Sequence, residues 1–441
     1  MIVSNPPSDP ASQKLVYTPP LPLDDFPVEE FRRRRKALRE TYPDGIVLVR
    51  GATEREFRGP LPYRQNSAFY YLTGVQTPGA FLAMLPDGLP PQAGNTGLSK
   101  QVREILFLPA RNPSWELWTG PQLGPGEETQ KLTGIEATLE AGRLWGLLTT
   151  WLSYCPTLYV VAPYGEDARF SPDYALIERI RQMAPTAQFR DLGPGLAKLR
   201  MIKSPAEIEC IEQAIAITDE ALRAARNLIH EGDGRYEYEV EAEVLHTFRR
   251  HGANLGFAPI IGSGINATIL HYTNNNKRME NGETVVVDIG AQVRAYTADL
   301  TRTFIVGGKP SERQREIYGL VAAALKYLVS SYRPGVDSLD DLNKRCKAFL
   351  KDHPLRAPDA HGEERTMDTF MPHGAGHHLG LDVHDVGERY EPLQPGAVFT
   401  LEPGIYLPEE RIGVRLENDY LVTESGLREL GNALSVDAEL E

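Results

Sequence analysis

Two aspartates set inside apolar, β-like runs constrain this chain more than any other feature of its sequence. Segment TVVVDIG (284–290) and segment AYTADLTRTFIV (295–306) are rich in β-branched and aromatic residues and read as two strands of a hairpin, each carrying one aspartate, Asp288 and Asp299. Asp288 lies among Val285, Val286, Val287 and Ile289, where an unpaired carboxylate is costly to bury. A turn centred on Val293 and Arg294 sets the two aspartates directly opposite each other, and like charges facing across a sheet destabilise it. A cation between them removes both penalties. The alternative is a different register in which each aspartate caps a turn.

More polar residues gather near the C-terminus, where HGAGHHLGLDVHDVG (373–387) is followed by TLEPGIY (400–406) and GVRLEND (413–419). Glu402 and Glu417 end apolar β-like runs, and strand ends present side chains rigidly. His373 and His377 are four apart, as zinc ligands on a helix are, but Gly374 and Gly376 disfavour a helix and there is no HExxH. The glycines at 374, 376 and 380 miss the dinucleotide-binding spacing, and neither a GxSxG elbow nor a phosphate-binding GxxxxGK is present. Cys346, between Arg345 and Lys347, is expected on a surface helix and inert. His378 and Asp385 read as supports for neighbouring site residues.

The chain has 441 residues, and at roughly 150 residues per domain it holds two or three domains with large apolar cores. Its net charge of -13 argues against nucleic-acid binding, which needs clustered Lys and Arg. Three scattered cysteines build neither a disulfide framework nor a metal knuckle. With no basic-then-apolar leader in MIVSNPPSDP, the expected compartment is the cytoplasm. The charge-free stretch 252–276 is too polar for a membrane span and reads as a buried loop and strand, so no membrane partner is expected.

Seven prolines before residue 28 predict an extended arm over 1–27. Val28, Phe31, Leu38 and Tyr42 then mark an amphipathic helix whose solvated face is Arg32 to Lys36. Strands expected at 46–49, 104–108 and 157–162 alternate with helical patterns, giving an α/β domain over 28–195 that ends at the Leu192-Gly193-Pro194-Gly195 joint. From 196 to 441 a second domain opens with a capped helix at Ser204-Pro205-Ala206-Glu207, whose buried stripe is Ile208, Ile211, Ile215 and Leu222. Val240, Val244 and Phe248 mark a second helix, followed by β-like segments at 258–272 and 284–306. The order then repeats, with helices from Ser311 and from about Asp337 to Leu350 and β-like segments at 397–402 and 412–423. Two such rounds suggest a pseudo-duplication.

These residues in this order resemble the metal-dependent peptidase family with the pita-bread catalytic fold, which includes aminopeptidase P, prolidase and methionine aminopeptidase. Within it, aminopeptidase P (Xaa-Pro aminopeptidase) is the nearest match, because PYRQNSAFYYLTG (62–74) is similar to its first-domain segment. The resemblance implies a smaller N-terminal α/β, creatinase-like domain, then a pita-bread α+β catalytic domain with a pseudo-twofold repeat. It implies a two-metal site made by Asp288, Asp299, His377, Glu402 and Glu417. Four carboxylates and one imidazole form a mostly hard set that suits Mn(II), with Co(II), Fe(II) and Zn(II) as alternatives. On that reading two divalent ions, roughly 3.5 to 4 Å apart, would share a bridging hydroxide acidified enough to attack a peptide carbonyl near neutral pH.

By the same resemblance Glu402 is the general base, His271 and His384 contact the scissile peptide, and His373, Tyr406 and Arg415 line the proline-side pocket. The implied substrates are peptides with proline at the second position. A homo-oligomer, dimer or tetramer, is also implied, with Trp118 of ELWTGPQLG (116–124) near a neighbouring subunit's site. Two departures stand out: Ala375 replaces a larger apolar residue or Thr, and Pro121 and Gln122 stand where bacterial members often carry arginines. Three other readings compete: a prolidase preferring dipeptides, a non-catalytic pita-bread protein that binds peptides or partners, and a metal-free creatinase-like amidinohydrolase.

Overall fold

The structure is a computed structural model that describes residues 26–54, 63–87, 89, 102–232, 234–431 and 434–436. The proline-rich arm lies outside the described residues except for Phe26 and Pro27. The chain divides into two compact units, one ending at Leu196 and the other beginning at Ala197.

The first unit is built on a mixed six-stranded sheet in the spatial order Ala137–Glu140, Glu104–Leu108, Phe81–Met84, Ile46–Arg50, Thr157–Val160, Gln188–Asp191. The three expected apolar runs are strands of this sheet, with Ile46–Arg50 near its centre. Ile46, Leu48, Ile105 and Phe107 pack with Leu148 and Trp151 of helix Leu144–Tyr154 into one apolar core. Helix Val28–Thr41 differs from its expected solvated face, because Arg34 and Arg35 are buried. Arg34 lies over the rings of Phe26, Phe31 and Tyr71, and Arg35 pairs with Glu104 at 2.7 Å while donating to Leu72 O. A run of arginines thus supplies both the surface and the inner face of one helix. Long stems and guanidinium planes that stack on aromatic rings make that substitution for apolar residues workable.

The expected joint runs into helix Gly193–Met201, and beyond it lies helix Pro205–His230, whose start has a complete capping box between Ser204 and Glu207 with Pro205 at the first helical position. Ile211, Ile215 and Leu222 form its buried stripe. Helix Glu237–Arg250 follows, then an antiparallel sheet with Thr284–Ile289 between Ile260–Ser263 and Leu300–Ile305. The same order recurs. Helices Glu312–Ser331 and Leu339–Asp352, each with a complete capping box, lead to a second antiparallel sheet with Asn418–Thr423 between Val398–Leu401 and Gly426–Glu429. Leu320, Val321 and Leu328 of the third helix pack with Phe399, Leu401, Val414 and Tyr420 in one cluster.

The hairpin register differs from the expected one. Asp288 faces Thr301, not Asp299, because the turn is centred on Arg294 and Ala295, both at positive φ, and a short ribbon pairing Val293 with Tyr296 intervenes. Relative to the expected pairing this is a shift of two residues, and an even shift keeps each side chain on its face of the sheet. Cys346 also differs: it is buried against Met371, not on the surface, and burial pushes its thiol up to about 12.

Gly290 joins the paired strands where a Cβ would sit 2.0 Å from Ala298 O and 2.6 Å from the Phe257 ring. Gly290→Ala is therefore expected to cost about 1–3 kcal/mol. Gly319, in helix Glu312–Ser331 with open space around it, gives the opposite sign, and Gly319→Ala should gain about 0.5–1 kcal/mol. Chemical denaturation midpoints of the two variants check both signs.

Candidate active site

The two sheets of the second unit and the loops between them bring the five carboxylate and imidazole residues to one cavity of about 480 Å³, lined by Asp288, Asp299, His377, Glu402 and Glu417. Asp288 projects from the central strand Thr284–Ile289, and Asp299 directly precedes Leu300–Ile305. Glu402 directly follows Val398–Leu401, and Glu417 directly precedes Asn418–Thr423. Strand termini from both rounds of the fold therefore meet at one point. Candidate ligand atoms of Asp299, His377 and Glu417 lie within 4.8 Å of one another. His377 Nε2 is 3.4 Å from Asp299 Oδ2 and 3.8 Å from Glu402 Oε1.

The imidazole is aimed by its other nitrogen. With Nδ1–H donating to His378 O at 3.1 Å, the Nε2 lone pair faces the carboxylates. Burial lowers His377 to about 4, so the ring is neutral and able to ligate at pH 7. The loop bearing it is fixed by Thr400 N–H donating to His377 O at 2.8 Å and by Glu402 N–H donating to Ala375 O at 2.9 Å. Gly376 is obligatory there, since a Cβ would come 1.9 Å from Thr400 O.

Electrostatics make the cluster unstable as four anions. Burial raises Asp299 well above the usual carboxylate range, and the charges of Glu417 and Asp288 raise it further. Burial likewise raises Glu417 well above its ordinary value, with Glu402 and Asp288 adding to it. Glu402 is pushed up to about 8, mainly by burial, with Arg415 opposing. Arg415 bonds Asp288 Oδ2 at 2.6 Å, while Thr301 Oγ1 donates to Glu417 Oε2 at 2.7 Å. The second oxygens, Asp288 Oδ1 and Glu417 Oε1, are buried with no hydrogen-bond partner among the described residues. Orphaned buried oxygens beside a neutral imidazole are a donor set that fits divalent cations.

The remaining predicted residues fall around this centre. His271 and His384 line the same cavity, their rings 6.4 Å apart, and the His384 ring is 4.3 Å from that of His377. His373 lines it too, lowered by burial to about 4. Arg415 donates to Tyr406 OH at 2.9 Å, and that hydroxyl lies 2.8 Å from His373 Nε2. Tyr406 thus stands behind the wall and links Arg415 to His373. Among the described residues the Asp385 carboxylate bonds no site side chain; it is paired with Arg200 and, at 3.1 Å, with Lys203, and Asp382 joins Arg200 at 2.7 Å, so both act on His384 through the backbone. Trp118 is 83% exposed on helix Pro113–Thr119.

Sequence reading missed Thr301 and Arg200. Thr301 had a signal, standing two residues after Asp299 on the same strand face. Arg200 had none, because its partners lie far along the chain.

Residues 209–424 match the family model for metallopeptidase family M24, and residues 31–159 match that for the aminopeptidase P N-terminal domain. The chain is 34% identical to the Xaa-Pro aminopeptidase of Escherichia coli K12, over 92% of this chain and 94% of that protein. The chain belongs to metallopeptidase family M24. Its M24 architecture extends to solved structures: proline aminopeptidase P II from Yersinia pestis matches with a TM-score of 0.76 at 30% identity, covering 92% of this chain and 96% of that one. The Xaa-Pro dipeptidase of Pyrococcus furiosus is 35% identical over 58% of this chain and 70% of that protein. As an M24 member the chain is a metal-dependent peptidase with a pita-bread catalytic domain after an α/β domain.

The raised carboxylates make a signed prediction. Glu402 folds with a value of about 8 against an ordinary 4.5, so its protonation contributes stability that is present below pH 4.5 and lost as pH rises through about 8. His373 and His377, lowered to about 4 from 6.5, act oppositely, adding stability as pH rises from about 4 to 6.5. Above pH 6.5 the carboxylates act alone. Chelator-treated protein should therefore lose Tm between pH 6.5 and 8, and saturating divalent metal should remove that loss. A metal-free Tm that holds or rises across this interval contradicts the electrostatic account.

Proposed function

We propose that this M24 enzyme is an Xaa-Pro aminopeptidase, removing the N-terminal residue from peptides whose second residue is proline. The observation that carries this reading is the end-to-end match to a two-domain Xaa-Pro aminopeptidase, first domain included, where the dipeptidase relative aligns with only 58% of the chain. In this reading residues 28–195 form the N-terminal domain and 196–441 the catalytic domain.

Asp288, Asp299, His377, Glu402 and Glu417 would hold two divalent cations, for which Mn(II) is the best fit to a hard oxygen set with one imidazole. When bound, such cations supply Lewis acidity that acidifies water to near neutral pH and polarises a carbonyl. The chain's own groups do the rest. Glu402, on the cavity wall 3.8 Å from both His373 and His377, takes the proton from the attacking water and passes it to the leaving proline nitrogen. His271 and His384 face the scissile peptide and donate hydrogen bonds to the oxygen that gains charge. Arg415 balances Asp288 and, through Tyr406, fixes the His373 edge of the pocket. A proline nitrogen in a peptide bond has no N–H, so a shaped wall replaces the usual contact to that group. The acidic rim, Asp288 included, receives the free amine.

No helix among the described residues is long and apolar enough to cross a membrane; the compartment we propose is the cytoplasm, on the three scattered cysteines. The 87% and 83% exposure of Leu117 and Trp118 supports assembly into a homo-oligomer.

The test is cleavage of an Xaa-Pro dipeptide against an Xaa-Pro-Xaa tripeptide by chelator-stripped protein, with and without Mn(II). Tripeptide cleavage that depends on metal is expected, and Glu402→Gln should lower kcat by about 10²–10⁴-fold. A dipeptide preference moves the assignment to a prolidase, and no cleavage of either with metal present sinks it.

A further inference from the structure

His271 is exposed and makes no hydrogen bond among the described residues, so its place on the cavity wall is set by the segment that carries it. That segment is gathered onto one carboxylate. Glu237, the first residue of helix Glu237–Arg250, is 0% exposed. Its Oε1 accepts from Ser263 N–H at 2.7 Å, Ser263 Oγ at 2.8 Å and Asn266 Nδ2 at 3.2 Å. Its Oε2 accepts from Tyr272 OH at 2.8 Å and Lys277 N–H at 2.8 Å. These donors come from both sides of His271, and Tyr272 is its immediate neighbour.

The arrangement requires a carboxylate. Five donors converge on two oxygens, and a charged acceptor holds such donors more strongly than a neutral one. A glutamine of the same shape offers one oxygen, and its amide nitrogen would then face two or more of these donors. Tyr272 can turn its hydroxyl to accept, but the Lys277 and Ser263 N–H groups cannot. An amide at this position therefore loosens the loop on at least one side of His271 while leaving the volume filled. A second cavity of about 480 Å³ shares His271 and Thr273 with the first and is lined by Asn266, Tyr272 and Asn276 of the same segment.

We propose that Glu237 is a positioning residue for the peptidase reaction, fixing the His271 edge of the active cavity by anchoring the 263–277 segment on its carboxylate. The inference rests on the role given to His271 under the proposed function. Misplacing a reacting contact by about 1 Å costs on the order of 10²-fold in rate, so Glu237→Gln is expected to lower kcat by about 10-fold or more, with KM and bound metal little changed.

A double-mutant cycle separates positioning from general destabilisation. In a His271→Ala background, adding Glu237→Gln should lower kcat by less than about 2-fold, because the group it positions is gone. Losses that multiply in the double variant, or a Glu237→Gln enzyme with unchanged kcat, overturn the proposal. His271→Ala with unchanged kcat overturns the role assigned to His271 itself, and this proposal with it, in a way the other outcomes do not. If Glu237→Gln fails to fold by circular dichroism, Tyr272→Phe, which removes one of the five donors, must show the same non-additivity on a smaller scale. Additive losses from that variant count against the proposal.

Discussion

Mutual repulsion among four carboxylates in one buried cavity is the constraint on which the second unit is organised. Asp288, Asp299, Glu402 and Glu417 come from strand termini of two separate antiparallel sheets, and among the described residues the single cationic side chain bonded to them is Arg415, on Asp288. Burial already makes Asp299, Glu402 and Glu417 resist ionisation, and the charges of neighbouring carboxylates increase that resistance, with Arg415 opposing at Glu402 and Glu417. Left alone, such a cluster protonates or opens. Divalent cations held there would offset the repulsion and satisfy the orphaned oxygens. The metal requirement of the family thus follows from where the chain puts its acids.

Holding those acids in register falls to groups that touch no substrate. Asp419 accepts from the Asp299 N–H at 3.1 Å, and Arg302, fully buried, donates to Glu417 O at 2.7 Å. Thr301 bridges Glu417 and Arg415, the latter donating to it at 3.3 Å. The loop bearing His384 lies between Asp382 and Asp385, both tied to Arg200. Ion pairs of this kind, buried at Asp385 and partly exposed at Asp382, add little net stability, because desolvation offsets most of the attraction in the first and solvent screens it in the second. Their evident use here is geometric, since two carboxylates flanking a histidine fix the backbone from which it projects.

Much of this was legible in the sequence because the strongest signals are local. Alternation and β-branching marked the central strands, serine with glutamate or glutamine three residues on marked the two capped helices that start after Ser204 and Ser311, and all five candidate ligands line one cavity. What escaped depended on tertiary contacts. The hairpin turn lies one residue further along than its composition suggested, because a short ribbon intervenes, yet the even shift left both aspartates facing the site. Arg34 and Arg35 looked solvated until aromatic rings and Glu104 enclosed them. Strand Gln188–Asp191, with only Phe189 apolar, carries no alternation strong enough to announce it. Glu237 looked like any first-turn glutamate, its five donors being set by a loop some thirty residues away.

The direct measure of whether these acids are a metal site is an equilibrium count of divalent ions on chelator-stripped protein. Mn(II) titration followed by metal analysis should saturate at two ions per chain, and Glu417→Gln should lose at least one of them. Saturation below two in the unsubstituted chain, or a count unchanged by Glu417→Gln, contradicts the assignment of Asp288, Asp299, His377, Glu402 and Glu417 as one dinuclear centre.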